Sequence, residues 1–153
     1  MDPGAPQGRE DAASGTSSLW AAGLRAAVIA ALVNAIVVVA AVVAGVFPEL
    51  NMLPFSGSGF GLGSVILVSM AAALAGTAIY SRLWHWAERP MHVFALFVSS
   101  ALLVSFAAPM FDENWTVARL GVIELTHLVV AAFTMIALWR WTRARSHLAE
   151  AQH

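Results

Sequence analysis

Two ionisable side chains, Glu124 and His127, interrupt the otherwise apolar run GVIELTHLVVAAF at residues 121–133. On a helix, positions i and i+3 share a face, so the two can share or pass a proton. A charge at the centre of a bilayer costs about 2.5–3.5 kcal/mol even on a lenient insertion scale. A carboxylate there is relieved by keeping its proton or by sharing one with a neighbouring base, and His127 is the nearest base. Ionisable groups at such depth face a bundle interior or a wet cavity, where they build proton relays and solute sites. The structural alternative is a hydrogen-bond network between helices that fixes packing, at about 0.6–2 kcal/mol per bond.

Other chemistries fit the pair less well. A di-iron carboxylate site repeats Glu-x-x-His on two helices and adds two further glutamates, and no other carboxylate of this chain falls in an apolar segment. Zinc needs at least a third protein ligand. Haem held by two histidines needs them at similar depth, and His92 lies about 14 Å from His127 along the membrane normal. His85, His147 and His153 fall in polar connections or the tail and read as solvated. No cofactor and no metal is expected. With 0 Cys, thiol redox chemistry and thiolate metal sites are excluded. The sequence has no HExxH, no GxSxG and no paired Asp motif for headgroup transfer. Gly57, Gly59, Gly61 and Gly63 form neither GxGxxG nor a Walker loop. Nothing among the motifs argues for an enzyme.

The elements that must carry these residues are membrane helices. The 153 residues are 59% hydrophobic and 11% charged, against about 25% charged in a soluble domain. The net charge of −1 lacks the basic footprint that nucleic acid demands. Four apolar segments, about 20–47, 60–83, 91–111 and 116–141, each supply the ~20 residues that span ~30 Å of hydrocarbon. Backbone groups in lipid must be satisfied within the segment, so all four are helices. The expected fold is all-α, a four-helix transmembrane bundle over residues 19–142. Residues 1–18 read as a disordered tail, and 143–153 as a basic tail that continues the fourth helix. The long connection Pro48–Gly59 either lies along the interface or packs over the bundle mouth. Trp20, Trp84, Trp86, Trp115, Trp139 and Trp141 fall at segment ends, as an interfacial aromatic belt requires.

All eight basic residues are Arg. Seven of them fall on one side if the N-terminus is cytoplasmic, with Arg119 alone outside beside Asp112, Glu113 and Glu49. Both termini of a multi-pass cell-membrane protein are therefore expected inside. The inner arginines would face anionic lipid headgroups.

Helix rise puts Asn34 roughly 13 Å into the first helix and Ser69 and Ser99 each about 12 Å into theirs. It puts His127 roughly 14–16 Å and Glu124 about 10–12 Å below the other surface. The expectation is one polar layer near the midplane: Asn34, Ser69, Ser99 or Ser100, Glu124 and His127. At about 100° per residue, Asn34 shares its face with Gly23, Ala27, Ala30, Ala31, Ala41 and Gly45, a stripe that permits close helix approach. Ser69 shares a face with Ala72, Ala73 and Gly76. Glu124 and His127 share a stripe with Ala131 and Leu138, and Arg119 points the opposite way.

A tryptophan-led first helix carrying Asn34, the loop "RPMHVFAL" at 89–96, "SFAAPM" at 105–110 and "ELTHLVVA" at 124–131 together resemble a family of small four-helix prokaryotic membrane proteins of unknown function. The resemblance covers about residues 19–142. It implies the four-helix fold and a prokaryotic origin, and it brings no activity. Two functional readings follow. In the first, a channel- or transporter-like protein uses Glu124 as proton carrier and His127 as its partner, with Asn34 orienting one of them. Four helices leave little room for a pore, so this reading favours a homo-oligomer. In the second, the chain is a non-catalytic accessory or scaffold protein whose polar layer only fixes packing.

Overall fold

A computed structural model of the protein describes residues 7–47, 61–107 and 116–150. Among these residues there are four helices: α1 Gln7–Val43, α2 Leu62–Trp86, α3 Pro90–Ala107 and α4 Val117–Glu150. All four are long and apolar enough to cross a membrane, the spans being Ser18–Val43, Leu62–Trp86, Pro90–Ala107 and Val117–His147. The architecture is all-α, as the apolar segments require.

The helix limits depart from the sequence reading at identifiable residues. α1 starts at Gln7, so most of the segment read as a disordered tail is helical. A formed helix grows by one hydrogen bond per added residue without a new nucleation cost. Its other end comes earlier than expected, at Val43 rather than Phe47. Gly45 takes φ +75°, its N–H donates to the Val42 carbonyl at 2.9 Å, and the Val46 N–H donates to the Ala41 carbonyl at 2.9 Å. That pair of bonds, closed by a left-handed glycine, ends a helix. α2 starts beside Gly61, whose N–H donates to Ser64 Oγ at 3.1 Å, and runs through Trp84 to Trp86. α3 opens on Pro90, where a missing N–H costs nothing. α4 is capped by Thr116, whose hydroxyl accepts from the Arg119 N–H at 3.3 Å. It continues past Trp141 to Glu150, as its basic tail suggested. The Pro48–Gly59 connection, residues 108–111 of the expected third helix, Trp115, Glu49, Asp112 and Glu113 lie outside the described residues.

α1 is the central helix. Ala26, Ala27, Ala30, Ala31, Asn34, Val38 and Ala41 on it are buried, and it packs closely on both α2 and α4. Small side chains let those backbones approach. A Cβ built on Gly23 would lie 2.9 Å from Thr77 Cβ and overlap the rest of that side chain. α3 is peripheral: it meets α2 and α4 and barely touches α1. Only 6% of its apolar stretch is buried, against 39% for α1.

One end of the bundle is closed by aromatic packing of Tyr80, Trp84, Phe94 and Trp141 with Leu19 and Leu138. Tyr80 meets Phe94 edge-to-face at 5.4 Å and Trp84 meets Trp141 at 5.1 Å, arrangements that add about 0.5–1.5 kcal/mol beyond area burial. The polar handles are satisfied as well. Trp141 Nε1–H donates to Ser18 Oγ at 2.9 Å. Thr142 Oγ1 gives its proton to the Leu138 carbonyl and lies 2.6 Å from Tyr80 Oη, so the tyrosine is the donor to Thr142. Trp84 and Trp141 therefore belong to an internal cluster rather than to a belt. Trp20, Trp86 and Trp139 remain exposed.

Candidate functional site

Glu124 lies in the second turn of α4, buried, with its side chain 6% exposed. His127, one turn further on, is 47% exposed, and its Nδ1 stands 3.7 Å from Glu124 Oε2. That gap is too long for a direct hydrogen bond. It is bridged by Ser105 of α3, whose hydroxyl donates to Glu124 Oε2 at 2.6 Å and lies 3.0 Å from His127 Nδ1. With the hydroxyl proton committed to the carboxylate, Ser105 Oγ accepts from an Nδ1–H, and the neutral imidazole keeps Nε2 as an acceptor. The pair expected from spacing is thus a three-membered chain: carboxylate, hydroxyl, imidazole.

Asn34 and Ser69 form a second cluster. Asn34 Nδ2 donates to Ser69 Oγ at 2.8 Å and to the Thr126 carbonyl at 3.1 Å. One amide therefore ties α1 to α2 and to α4. Thr126 bonds back to the Ile123 carbonyl through its own hydroxyl at 2.7 Å. Asn34 does not orient Glu124 or His127, as the sequence reading had it, because both of its N–H groups are taken elsewhere.

The single midmembrane layer therefore resolves into two clusters. Ser99 and Ser100 belong to neither, since both are exposed on the outer side of α3. Depth measured from the start of each helix cannot register one helix against another. It was Ser105, about 9 Å further along α3 than Ser99 by helix rise, that met Glu124. Six positions along a helix turn the side chain through about 240°, from the exposed side that carries Ser99 onto α4, and nothing in the sequence alone says which side faces α4. Arg119, expected opposite Glu124, does point elsewhere. Its Nε donates to the Val46 carbonyl at 3.1 Å and its guanidinium lies 5.7 Å from the Phe47 ring centre.

Between α2, α3 and α4, with Asn34 and Val38 of α1 at its back, lies a cavity of about 700 Å³. Its walls are mostly apolar, and both clusters reach it: Asn34, Ser69 and Thr126 from one, Ser105 and His127 from the other. Among the described residues three buried polar atoms have no hydrogen-bond partner: Asn34 Oδ1, Glu124 Oε1 and Thr134 Oγ1. Asn34 and Thr134 line the cavity, and Glu124 is one hydrogen bond behind it through Ser105. Buried polar atoms are almost always paired, so Asn34 Oδ1 and Thr134 Oγ1 on the cavity wall are groups that a bound molecule could satisfy. Among the described residues no third histidine or carboxylate joins Glu124 and His127.

The model of a family of unknown function (DUF6069) matches residues 14–144. No curated protein and no solved structure is matched.

Proposed function

This chain belongs to that family of unknown function, and from its own geometry we propose that it is a channel- or transporter-like membrane protein that handles protons and a solute at Glu124, Ser105 and His127. The observation that carries the reading is the Ser105 bridge, which links a buried carboxylate to an imidazole on the cavity wall.

The chain of bonds has two electrically equivalent forms. In one, Glu124 is the neutral acid and donates to Ser105 Oγ, which donates to His127 Nδ1. In the other, the acid proton has moved to Ser105 as the serine proton moved to Nδ1, giving carboxylate and imidazolium. The net charge is zero in both, and a proton can then leave from Nε2. Glu124 is the proton carrier, His127 its outlet and Ser105 the link. Asn34 and Ser69 hold α1, α2 and α4 in the register that keeps the chain assembled. Both termini are placed on the cytoplasmic side of the cell membrane in this reading, supported by seven of the eight arginines. Arg140, Arg143 and Arg145 would then face anionic headgroups.

The test is proton and cation flux into proteoliposomes, comparing wild type with Glu124→Gln at equal density. The amide preserves shape but cannot carry the proton, so flux is expected to vanish while the fold survives. No flux in either protein, with both well folded, would leave the clusters as packing glue and make the accessory reading the better one.

A further inference from the structure

The orphaned atoms differ in kind, and the kind carries information about what belongs in the cavity. Asn34 Oδ1 and Glu124 Oε1 are acceptors only. The Nε2 that the Ser105 bond leaves on His127 is a third acceptor. Thr134 Oγ1, a hydroxyl, adapts to either role. Both N–H groups of Asn34 are already used, and so is the Ser105 hydroxyl, which leaves the Ser69 and Thr134 hydroxyls as the wall's adaptable groups. The Asn34 oxygen and the His127 Nε2 can only accept, so a ligand that completes both must bring N–H or O–H groups.

Its charge and its body are constrained as well. Glu124 is the one carboxylate within the four spans. The chain has no lysine, and among the described residues no arginine lines the cavity. An anion entering it would find no fixed counter-charge and a carboxylate close by. The walls offer apolar side chains together with the rings of Phe47, Phe94 and Phe97, surfaces that suit an apolar body and the rim of a cation. About 700 Å³ falls within the usual range for a small-molecule site. One wall is α3, the helix with the least burial.

We infer that the cavity between α2, α3 and α4 binds an apolar small molecule bearing a protonated amine, whose N–H groups complete the acceptors of Asn34 and His127 on its wall, with the Glu124 carboxylate behind Ser105 as the counter-charge. The inference rests on the proposed proton-handling role of the same site and names its substrate class. Charge balance follows from it. In the form where Glu124 is the neutral acid, arrival of the cation drives the acid proton onto Ser105, the serine proton onto His127 Nδ1 and the Nε2 proton out to solvent. One proton leaves for each cation bound. The carboxylate then accepts from Ser105 and balances the charge of the ammonium group in the cavity.

The experiment is equilibrium dialysis of the full chain in nanodiscs of uncharged lipid, against empty nanodiscs. The probes are three molecules of one shape: naphthylethylamine, naphthylethanol and naphthylacetate. The amine should be retained about tenfold more tightly than the alcohol, as charge-assisted bonds require, and the acid should not be retained. Glu124→Gln should abolish the preference for the amine. Ala101→Phe, which fills the cavity from the loosely packed helix, should abolish retention. A pH indicator in weak buffer should register one proton released per amine bound. Equal retention of amine and alcohol, tighter retention of the acid, or amine retention unchanged in Ala101→Phe would each overturn the inference. None of those results would touch a proton flux that depends on Glu124, so the two readings fail separately.

Discussion

Ser105 and Glu124 stand 2.6 Å apart across the α3–α4 contact, inside the range of about 2.5–2.7 Å that marks a hydroxyl donating to a carboxylate. The bond joins the least buried helix of the bundle to the one acid within its four candidate spans. α3 has little apolar packing to hold its rotation, so this hydroxyl fixes which of its faces meets α4.

Replacing Ser105 by Ala should therefore act twice. The lost bond to a charged or proton-sharing group costs about 1.5–3 kcal/mol, seen as earlier thermal unfolding in detergent. The link between Glu124 and His127 is also broken, so proton flux should fall even at temperatures where the variant is fully folded. Ser105→Thr retains the hydroxyl and should keep most of both. Flux in Ser105→Ala equal to wild type would show that the carboxylate and the imidazole do not communicate through the serine.

Ser99→Ala and Ser100→Ala are the matching controls. Both side chains are exposed on the far side of α3, so each substitution should change stability by no more than about 0.5 kcal/mol. Thermal unfolding of the three alanine variants side by side would rank the serines of α3 directly. A large loss at Ser99 would mean that its face is covered in the membrane.

Asn34 should matter for stability more than for flux. It is 1% exposed and holds two helices to α1 through one amide. Asn34→Ala forfeits both bonds and leaves Ser69 Oγ without its donor, a loss of about 1–3 kcal/mol. Ser69→Ala removes a single acceptor while the Thr126 carbonyl remains, so about 0.5–1.5 kcal/mol is expected. Detergent unfolding should place the two variants in that order. The reverse order would assign the cluster's main strength to the serine.

These contrasts also mark how far the sequence could be read. Four spans, the small-residue face of α1 and the Glu124–His127 pair follow from composition and period alone, because each is a property of one helix. The Asn34–Ser69 bond was anticipated only as shared depth, and the Ser105 bridge was missed. Both depend on the axial offset and rotation of one helix against another, which the rise per residue does not contain. Trp141 shows the same limit: its place at a segment end is equally consistent with a lipid-facing belt and with the internal cluster it joins. Only the ring packed opposite decides. The end of α1 was legible in principle, since Gly45 supplies the left-handed conformation that closes a helix.

The aromatic end predicts a graded series at Tyr80. Tyr80→Phe keeps the edge-to-face packing on Phe94 and loses only the bond to Thr142, about 0.5–1.5 kcal/mol. Tyr80→Ala empties a fully buried site and should cost about 3–5 kcal/mol. Since this cluster lies away from Ser105 and His127, both variants should retain flux in proportion to the folded fraction. Loss of flux in folded Tyr80→Phe would tie the aromatic end to the site.

The closest helix approach offers a test that separates packing from chemistry. A methyl on Gly23 would overlap Thr77, with Thr77 Cβ only 2.9 Å from the new carbon. α1 and α2 are then forced apart, and overpacking of this kind costs about 1–3 kcal/mol. Thr77 is fully buried, and its hydroxyl bonds only within its own helix, to the Ala73 carbonyl at 2.9 Å. Thr77→Ala thus frees the space that the Gly23 methyl needs at little cost to the contacts between helices. The double variant Gly23→Ala/Thr77→Ala should recover much of the stability lost by Gly23→Ala alone, giving a favourable coupling of about 0.5–3 kcal/mol in a double-mutant cycle. Because Asn34 lies on the same face of α1 three turns along, spreading the helices at Gly23 should also weaken the Asn34–Ser69 bond. Asn34→Ala should then cost less in the Gly23→Ala background than in wild type. Strict additivity of those two substitutions would mean that α1 bends locally at Gly23 and leaves the contact at Asn34 undisturbed.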